Sequence, residues 1–384
     1  MKEEYDVIVV GGGIAGAAAA VAASKKGAKT LLLEKTCYVG GLATGGLINI
    51  FLPLCDGNGH QVTFGITEEM LRRSMKYGPG SVPPDWKEKK NAAEEERLRC
   101  VFSPASMILA LEEFLLENKV EIRYDTLVTS IRKDGRIIQS VIVENSDGRS
   151  EIAGRAFVDA SGSAVLARMA GEDVSFGKNV LSFWALEYEG SRQYGRDRMA
   201  PEINMLTGGT AERTFCKVNA KDVTDYLLES RAMLRKFYLE EYESGRTDRS
   251  RRWPLFIAAM PQFRKIAAMK GRSAISDGMN NHTFADSIGL VSDWRKSGPV
   301  WEIPFGTLEA VRTDNLFAAG RCISSTGDAW EITRCIPCSG LTGEAAGYAA
   351  ALFREDRRES LGGSVQRSMT ENGNILHWEE ALRH

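Results

Sequence analysis

The sequence predicts an α/β fold in which a domain built on a parallel sheet carries an inserted lobe of mixed α and β structure. Residues 6–34 read as strand, glycine-rich turn, helix and strand, and residues 305–354 return to strand and helix. Between them, residues 171–304 show a weaker, mixed pattern. A chain of 384 residues is also too long for one small core, which favours two lobes.

The first elements follow directly from residue type. The run "DVIVV" at residues 6–10 is β-branched and suits a buried parallel strand. Ala15 to Lys26 consists mostly of strong helix formers, and Gly27 supplies a C-terminal stop. Residues 29–35, "KTLLLEK", form the second predicted strand.

Residues 51–100 are interpreted as an excursion from this domain. A glycine-rich loop, "VGGLATGGL", precedes it at residues 39–47, and "CDGNGHQ" at residues 55–61 predicts a hairpin-like turn. The charged segment at residues 86–99 predicts a solvated helix, with a cover over a site as the alternative.

The middle of the chain predicts a helix and then a meander. Ser103 and Pro104 are the expected N-cap and first-turn proline of the helix. Short strand patterns between residues 120 and 160 are separated by the turns "KDGR" and "NSDG". The predicted organisation is a first domain part at 1–170, an inserted substrate or cap lobe at 171–304, and the return of the first domain at 305–384.

Composition excludes several classes of protein. Apolar residues make up 43% and charged residues 26%, and a net charge of -2 gives no basic field for nucleic acid. Seven cysteines without framework spacing favour a reducing compartment. The apolar run at residues 7–23 has an acidic flank and early glycines, unlike a signal peptide, and no other stretch reaches the length of a membrane span. We therefore expect a cytoplasmic protein.

Gly11, Gly13 and Gly16 form G-x-G-x-x-G between the first strand and the first helix, as in a Rossmann-like unit. The first glycine permits a tight turn, the second lets a pyrophosphate approach the backbone, and the third allows the helix to pack on the strand. Glu34 ends the second strand, where its carboxylate is placed to bind a ribose diol. The pattern predicts FAD or NAD, and the acid disfavours the 2′-phosphate of NADP.

Two further stretches favour FAD. They are "DASG" at residues 159–162 and "AAGRCISSTGDAWEITRCIPCSGLTGEAAG" at residues 318–347. With the opening motif and the 39–47 loop, in this order, the sequence resembles the FAD-dependent oxidoreductases with a glutathione-reductase-type FAD domain. It is especially similar to the branch near the fumarate reductase and succinate dehydrogenase flavoproteins.

The resemblance implies a set of residues along a non-covalently bound FAD. The helix expected from about Leu341 would aim its N-terminus at the flavin N1/O2 edge. The implied FAD contacts are Gly11, Gly13, Ile14, Ala15, Gly16, Glu34, Lys35, Gly40, Gly41, Ala43, Thr44, Val128, Ala160, Ser161, Gly162, Gly320, Arg321, Gly340 and Leu341. The chain departs from its relatives at Ala267 and Ala268, where arginines are common, and at Gly306 and Thr307.

Arg334, Cys335 and Cys338 raise three alternatives. One CxxC pair without a second pair is weak support for a metal site, so no metal is expected. A dithiol that exchanges electrons with the flavin is the second alternative. The favoured interpretation is a turn that brings Arg334 and Cys338 near the flavin, with Cys335 as packing. Arg334 would then stabilise an anion during catalysis, unless it only pairs with Glu331 or Asp328.

Other candidate residues have ordinary structural explanations. His282 is a candidate general acid or base, or a histidine on a surface loop. Trp330 is a candidate cavity wall or a core residue. Arg264 and Arg272 are candidate anion ligands, with solvated surface roles favoured, and His60 lies in a predicted turn.

The predicted function is transfer of a hydride between flavin N5 and a small-molecule substrate with a CH–OH group, a CH–CH group or an activated double bond. The sequence has no second G-x-G-x-x-G, so electrons would come from the substrate, an electron-transfer partner or transiently bound NAD(P)H. The alternatives are a flavoprotein of RNA modification or sensing, and a flavin monooxygenase. No nucleic-acid or membrane partner is expected.

Overall fold

The computed structural model describes residues 3–82, 97–190, 198–200 and 202–382. Most of the charged segment predicted at residues 86–99 lies outside the described residues. The strands are β1 (Glu4–Val10), β2 (Thr30–Leu33), β3 (Ile50–Phe51), β4 (Cys100–Val101), β5 (Glu121–Arg123), β6 (Leu127–Asp134), β7 (Ile137–Asn145), β8 (Gly148–Asp159), β9 (Val174–Phe176), β10 (Lys178–Glu189), β11 (Arg198–Ala200), β12 (Ile203–Cys216), β13 (Arg252–Ile257), β14 (Ala267–Met269), β15 (Ser287–Ser292), β16 (Val300–Pro304) and β17 (Leu316–Ala318). The helices are α1 (Ile14–Lys25), α2 (Gly65–Ser74), α3 (Pro104–Glu117), α4 (Val165–Met169), α5 (Ala220–Glu243), α6 (Ala329–Thr333), α7 (Ile336–Leu352), α8 (Leu361–Glu371) and α9 (Trp378–Ala381).

The main sheet has the strand order β5-β2-β1-β8-β7-β6, with β17 also paired to β8. Strands β5, β2, β1, β8 and β17 are parallel, whereas β6 and β7 join as an antiparallel meander. The twelve-residue β8 belongs to both parts, because its first half pairs with β7 and its second half with β17. This arrangement confirms the predicted Rossmann-like α/β fold class.

Helices α1 and α7 pack against each other at unusually close range. A Cβ atom at Gly343 or Gly347 of α7 would collide with the carbonyl oxygens of Ala15 and Ala19 of α1. The alanine-rich sequence of both helices permits this approach, and nearly all of their residues are buried. The two helix N-termini are thereby fixed beside the same edge of the sheet.

The closing helix begins earlier than the sequence indicated. We expected it from about Leu341, but α7 begins at Ile336 with Cys335 as its N-cap and a proline in its first turn. Proline is favoured there because its missing N–H is unpaired at a helix start anyway. The helix N-terminus therefore lies at residues 334–336, and Leu341 is an interior position. The predicted cap at Ser103 is confirmed, since its side chain accepts a hydrogen bond from the Ser106 N–H.

The second lobe is a four-stranded antiparallel sheet of order β11-β12-β10-β13, with the 24-residue α5 on one face. Its interior contains a buried ion network in which Arg252 binds Glu187 at 2.8 Å and Glu241 at 3.1 Å. These elements fall within residues 178–257, inside the predicted insertion, whose bounds at 171 and 304 stay a prediction.

The chain after β13 joins this lobe to the glycine-rich loop. The Ala259 N–H donates to the carbonyl oxygen of Gly45 at 2.8 Å, and the Gln262 side-chain amide donates to that of Gly46 at 2.5 Å. The lobe is thus held directly over residues 39–47. None of the helices in the described ranges is long and apolar enough to cross a membrane.

Candidate active site

A cavity of 840 Å³ lies between the main sheet and the lobe. One end is formed by the glycine turn after β1, the start of α1, Glu34 and the 39–47 loop. The other end is formed by side chains of β10, α5, the 259–266 segment and the residues before α7. Ligand cavities in proteins span about 300 to 1,000 Å³, so this one is at the large end of that range.

The first end presents backbone rather than side chains. Gly13 is the N-cap of α1, no side chain caps the helix, and a Cβ atom at Gly13 would have no neighbour within 4 Å. Ile14 and Ala15 in the first turn also line the cavity. The N–H groups at this helix start are therefore available to an anion, and the helix dipole favours negative charge there. Gly11 adopts φ +101°, and a Cβ atom there would lie 2.6 Å from the Ala160 carbonyl oxygen.

Glu34 is buried at the end of β2 and lines the same end of the cavity. Its Oε2 accepts the Gly12 N–H at 2.6 Å, and its Oε1 accepts the N–H and hydroxyl of Thr36, both at 2.8 Å. These bonds fix the carboxylate plane against the glycine turn. Oε1 already accepts two hydrogen bonds, so Oε2 is the oxygen that retains a lone pair for a further donor such as a ribose hydroxyl.

The second end has apolar walls from three distant parts of the chain. Ile48, Ile50 and Leu52 follow the glycine-rich loop, and Trp294 precedes β16. The lobe contributes Trp184, Val223, Leu227 and Met260. Such walls exclude water from whatever lies between them.

Arg264 enters this apolar end and is the main residue that sequence reasoning misjudged. It is partly buried, lines the cavity, and lies with its guanidinium carbon 5.3 Å from the centre of the Trp184 ring. Burial, together with the charge of Arg334, lowers the pKa of Arg264 to about 10. It remains positively charged near neutral pH. A solvated surface role, which the sequence favoured, does not describe this position.

Arg334 also lines the cavity, directly before α7. Its Nε donates to Glu331 at 2.7 Å, and the Lys265 ammonium binds the same carboxylate. Burial alone would raise the pKa of Glu331, but Arg334 and Lys265 lower it below the usual value. Arg334 thus pairs with Glu331, as one alternative predicted, and also lines the cavity; its role in catalysis stays a prediction. Asp328 instead binds Arg295.

The two cysteines of the CxxC pair differ in environment. Cys335 lines the cavity, and its thiol donates to the Glu331 carbonyl oxygen at 3.1 Å. Cys338 lies inside α7, has no exposed surface and is outside the cavity lining. Burial raises the pKa of both thiols, that of Cys335 to about 11. The expectation that Cys338 approaches the flavin is not met by this geometry, because α7 begins before it and turns its side chain into the core.

Most of the residues predicted to contact FAD line the cavity. Those that do are Gly11, Gly13, Ile14, Ala15, Glu34, Lys35, Gly40, Gly41, Ala43, Ala160, Ser161, Gly162, Gly320 and Arg321. Arg321 packs on Gly162 and donates to the Phe263 carbonyl oxygen, which links the 160–162 turn to the segment before Arg264.

Five predicted contacts lie behind this surface. Gly16 packs against the Gly11 carbonyl, Gly340 against Thr67, and Leu341 lies against Gly289. The Thr44 hydroxyl donates inward to the Val39 carbonyl at 2.7 Å, and Val128 is paired with Val143 in the meander. None of these five residues lines the cavity; at Gly16 and Gly340 the absence of a side chain allows neighbouring elements to pack closely.

The remaining candidates lie away from the cavity. His282 is exposed and contacts Phe284, so its predicted role as acid or base has no support from its position. His60 binds Asp56 at 3.1 Å, and Arg272 pairs with Glu309 at 3.7 Å. Trp330 is buried without lining the cavity. Within the described ranges, no three His, Cys, Asp or Glu side chains are grouped as a metal site.

The residues present fit FAD. The uncapped helix start behind Gly13 suits a pyrophosphate, Glu34 suits a ribose, and the cavity continues beyond them for a long ligand. The start of α7 also opens on this cavity through Cys335, Ile336 and Ser339.

Comparison with known proteins agrees with this reading. The family model described as FAD-dependent oxidoreductase matches residues 6–184 and 276–361, and it passes over most of the lobe. No curated protein sequence matches the chain significantly.

Comparison with solved structures gives distant matches. The flavin-dependent halogenase CmlS is 12% identical, with 96% of this chain and 62% of that one covered and a TM-score of 0.52. A geranylgeranyl bacteriochlorophyll reductase-like protein from Thermoplasma acidophilum is 14% identical over 96% of this chain and 82% of its own, with a TM-score of 0.48. The p-nitrophenol 4-monooxygenase PnpA from Pseudomonas putida is 13% identical over 99% and 83%, with a TM-score of 0.46. At these identities the likeness concerns the fold alone. The match to the family model shows more: this chain belongs to the FAD-dependent oxidoreductases, and FAD is its cofactor.

Proposed function

We propose that this protein transfers a hydride between N5 of its FAD and a carbon atom of a small organic substrate. The observation that carries the proposal is one continuous cavity with two unlike ends. A polar backbone cradle at one end suits the dinucleotide, and an apolar chamber with cationic side chains at the other suits a second molecule. FAD supplies the two-electron chemistry, so the chain itself has to bind, orient and exclude water.

The nucleotide end is held in shape by hydrogen bonds within the chain. The start of α1 donates N–H groups to the pyrophosphate, and Glu34 is fixed by Gly12 and Thr36 in the position to accept the ribose hydroxyls. The 39–47 loop is tied to the lobe through Ala259 and Gln262, so cofactor and substrate share a wall. When two reactants are held in fixed positions, little translational and rotational entropy remains to be lost in the reaction step.

Arg334 supplies a fixed positive charge at the second end of the cavity. Its guanidinium is oriented by Glu331, and the N-terminus of α7 begins two residues later. Both features favour negative charge in the adjoining part of the cavity, which is where hydride transfer redistributes charge. Arg334 is thus the residue proposed to stabilise the reacting groups.

The electron source is part of the proposal. The chain carries one G-x-G-x-x-G motif, and the described residues form one large cavity. A nicotinamide, if it is the donor, would have to enter the apolar end in turn with the substrate. The alternative donors are the substrate itself and an electron-transfer partner.

The test follows the visible flavin absorption of the holoenzyme under anaerobic conditions. NADH and NADPH are mixed with it, each with hydrogen or deuterium at C4, followed by a panel of hydroxylated and unsaturated organic acids. Bleaching or reoxidation that slows when the transferred hydrogen is deuterium supports hydride transfer. Reduction by dithionite alone, with no response to any hydride donor or acceptor, contradicts it. Oxygen uptake with incorporation into an organic product would instead identify a monooxygenase.

A further inference from the structure

Arg264 is a cation of the apolar end that has no local counter-charge among the residues the structure describes. Arg264 forms no ion pair with any carboxylate in the described parts of the chain, although it faces the cavity. Among the described lining residues the carboxylate is Glu34, which lies at the opposite end and is already bound to Gly12 and Thr36. Arg334, which also lines the cavity, differs because it forms an ion pair with Glu331.

Glu331 is bound by two other cations and forms no ion pair with Arg264. Its two oxygens are divided between Arg334 and Lys265, which is the residue directly after Arg264 in the chain. Two cations therefore share this one carboxylate. Burial is the largest cause of the lowered pKa of Arg264, and the positive charges of Arg334 and Arg321 lower it further. These effects are expected of a guanidinium that has little access to water and no counter-ion beside it.

The backbone that carries Arg264 is built to hold it in place. The buried Asn179 accepts the N–H groups of Arg264 at 2.8 Å and Lys265 at 2.9 Å, and donates to the Lys265 carbonyl at 2.7 Å. On the other side, Arg321 donates to the Phe263 carbonyl oxygen. These contacts hold the backbone on both sides of Arg264, and its guanidinium lies against the Trp184 ring. Specific contacts therefore set its inward position.

The surroundings of this guanidinium describe what it would bind. Trp184, Leu227 and Met260 give flat and aliphatic walls, and Trp294 closes the chamber. Leaving a desolvated cation unpaired is costly, whereas a planar carboxylate can accept two parallel hydrogen bonds from guanidinium. The fit is to a molecule with one anionic end and an apolar, flat body.

We infer that the substrate is an organic carboxylate with a planar apolar body, whose carboxylate binds Arg264 while its body lies against Trp184. The identification of the bound acid as the substrate rests on the function proposed above; the anion site itself does not. Arg264 would then be the residue that selects charged over neutral molecules.

The test measures binding and needs no turnover. The oxidised holoenzyme is titrated with trans-cinnamate and with trans-cinnamamide, a neutral molecule of nearly the same shape, and the flavin difference spectrum reports occupancy. We expect cinnamate to bind at least about tenfold more tightly than the amide. Arg264→Gln should remove this preference by weakening cinnamate alone, and Arg264→Lys should restore part of it. Arg272→Gln, an exposed arginine outside the cavity, is the matched control and should change neither affinity.

Three results would overturn the inference. They are equal affinities of the wild type for both probes, no response of the flavin to either probe, and an undiminished preference for cinnamate in Arg264→Gln. Loss of FAD itself from Arg264→Gln would also overturn it, since the arginine would then serve the cofactor. A normal cinnamate preference in a protein that fails every hydride-transfer assay would leave the anion site standing and refute the proposed reaction.

Discussion

The two ends of the cavity are built in different ways. The nucleotide end consists of glycine turns and helix starts from a few short motifs, so most of its contacts come from backbone. The other end consists of side chains drawn from residues 48–52, 184, 218–227, 259–266, 294 and 334–336. The family model matches the first and passes over residues 185–275, which supply much of the second. The comparison indicates that the cofactor site is the shared part, and we propose that the lobe selects the substrate.

The largest expected effect comes from a substitution that destabilises the lobe and leaves the nucleotide end unchanged. Arg252→Met leaves Glu187 buried without its cation, and removal of one partner of a buried ion pair costs about 3–5 kcal/mol of unfolding free energy. Urea unfolding would show the loss. The neighbouring Arg251→Met is the control, because Arg251 is exposed and its contact with Asp248 spans 3.7 Å. Equal stability of the two variants would refute a structural role for this network.

Gly13→Ala acts on the nucleotide end alone. An added Cβ meets no protein atom within 4 Å, so the fold should persist, but it occupies the space left for the pyrophosphate. We expect FAD affinity to fall roughly 100-fold, or about 2.7 kcal/mol, with the urea midpoint of the apoprotein unchanged. Gly363→Ala in α8, where the nearest atom to the new Cβ lies 3.8 Å away, is the control. Undiminished FAD binding by Gly13→Ala would place the pyrophosphate elsewhere.

Glu344 lies in α7 and lines neither end of the cavity. Its carboxylate accepts hydrogen bonds from the Ile66 N–H and from Asn372 and Asn374, yet burial raises its pKa from 4.5 to about 7. The folded protein thus holds this proton more tightly than the unfolded chain. Its stabilising effect is complete below pH 4.5 and is lost as the pH rises to about 7.

Glu344→Gln removes this titration. The unfolding free energy of the wild type minus that of the variant should fall between these pH values, by up to about 1.4 kcal/mol per pH unit. Chemical unfolding at a series of pH values measures it. A difference that does not vary with pH would show that Glu344 keeps an ordinary pKa.

Leu227→Ala is the mildest change and acts on the apolar end alone. Leu227 lines the cavity from α5, so its truncation should weaken cinnamate binding about fivefold, or roughly 1 kcal/mol. FAD affinity should stay within about twofold of the wild type, since no nucleotide contact is lost. A larger effect on FAD than on cinnamate would reverse the assignment of the two ends.

The same contrast explains what could be predicted from sequence. The roles of Gly11, Gly13 and Glu34 could be predicted because the turn, the helix start and the strand end all lie within the first 34 residues. The spacing of these residues is typical of one backbone geometry. Arg264 was not, because its importance depends on Trp184, Asn179 and Glu331, which are 80, 85 and 67 residues away in the chain. A local sequence pattern does not show which distant residues become neighbours in the folded chain.

Helix boundaries gave a smaller error of the same kind. We expected a helix from about Leu341, whereas the proline at 337 already belongs to the first turn of α7. Because the helix begins five residues earlier, Cys335, Ile336 and Ser339 line the cavity. The predicted contacts Gly340 and Leu341 do not. His282 was considered only because histidine titrates near neutral pH, and its exposed position gives it no neighbour at the cavity.

The most direct test of the two-ended cavity is the dissociation constant of FAD, measured by quenching of its fluorescence for the wild type, Gly13→Ala and Arg264→Gln side by side. The account predicts roughly 100-fold weaker binding by Gly13→Ala and a value within about twofold of the wild type for Arg264→Gln. The reverse pattern, with FAD lost from Arg264→Gln and retained by Gly13→Ala, would contradict it.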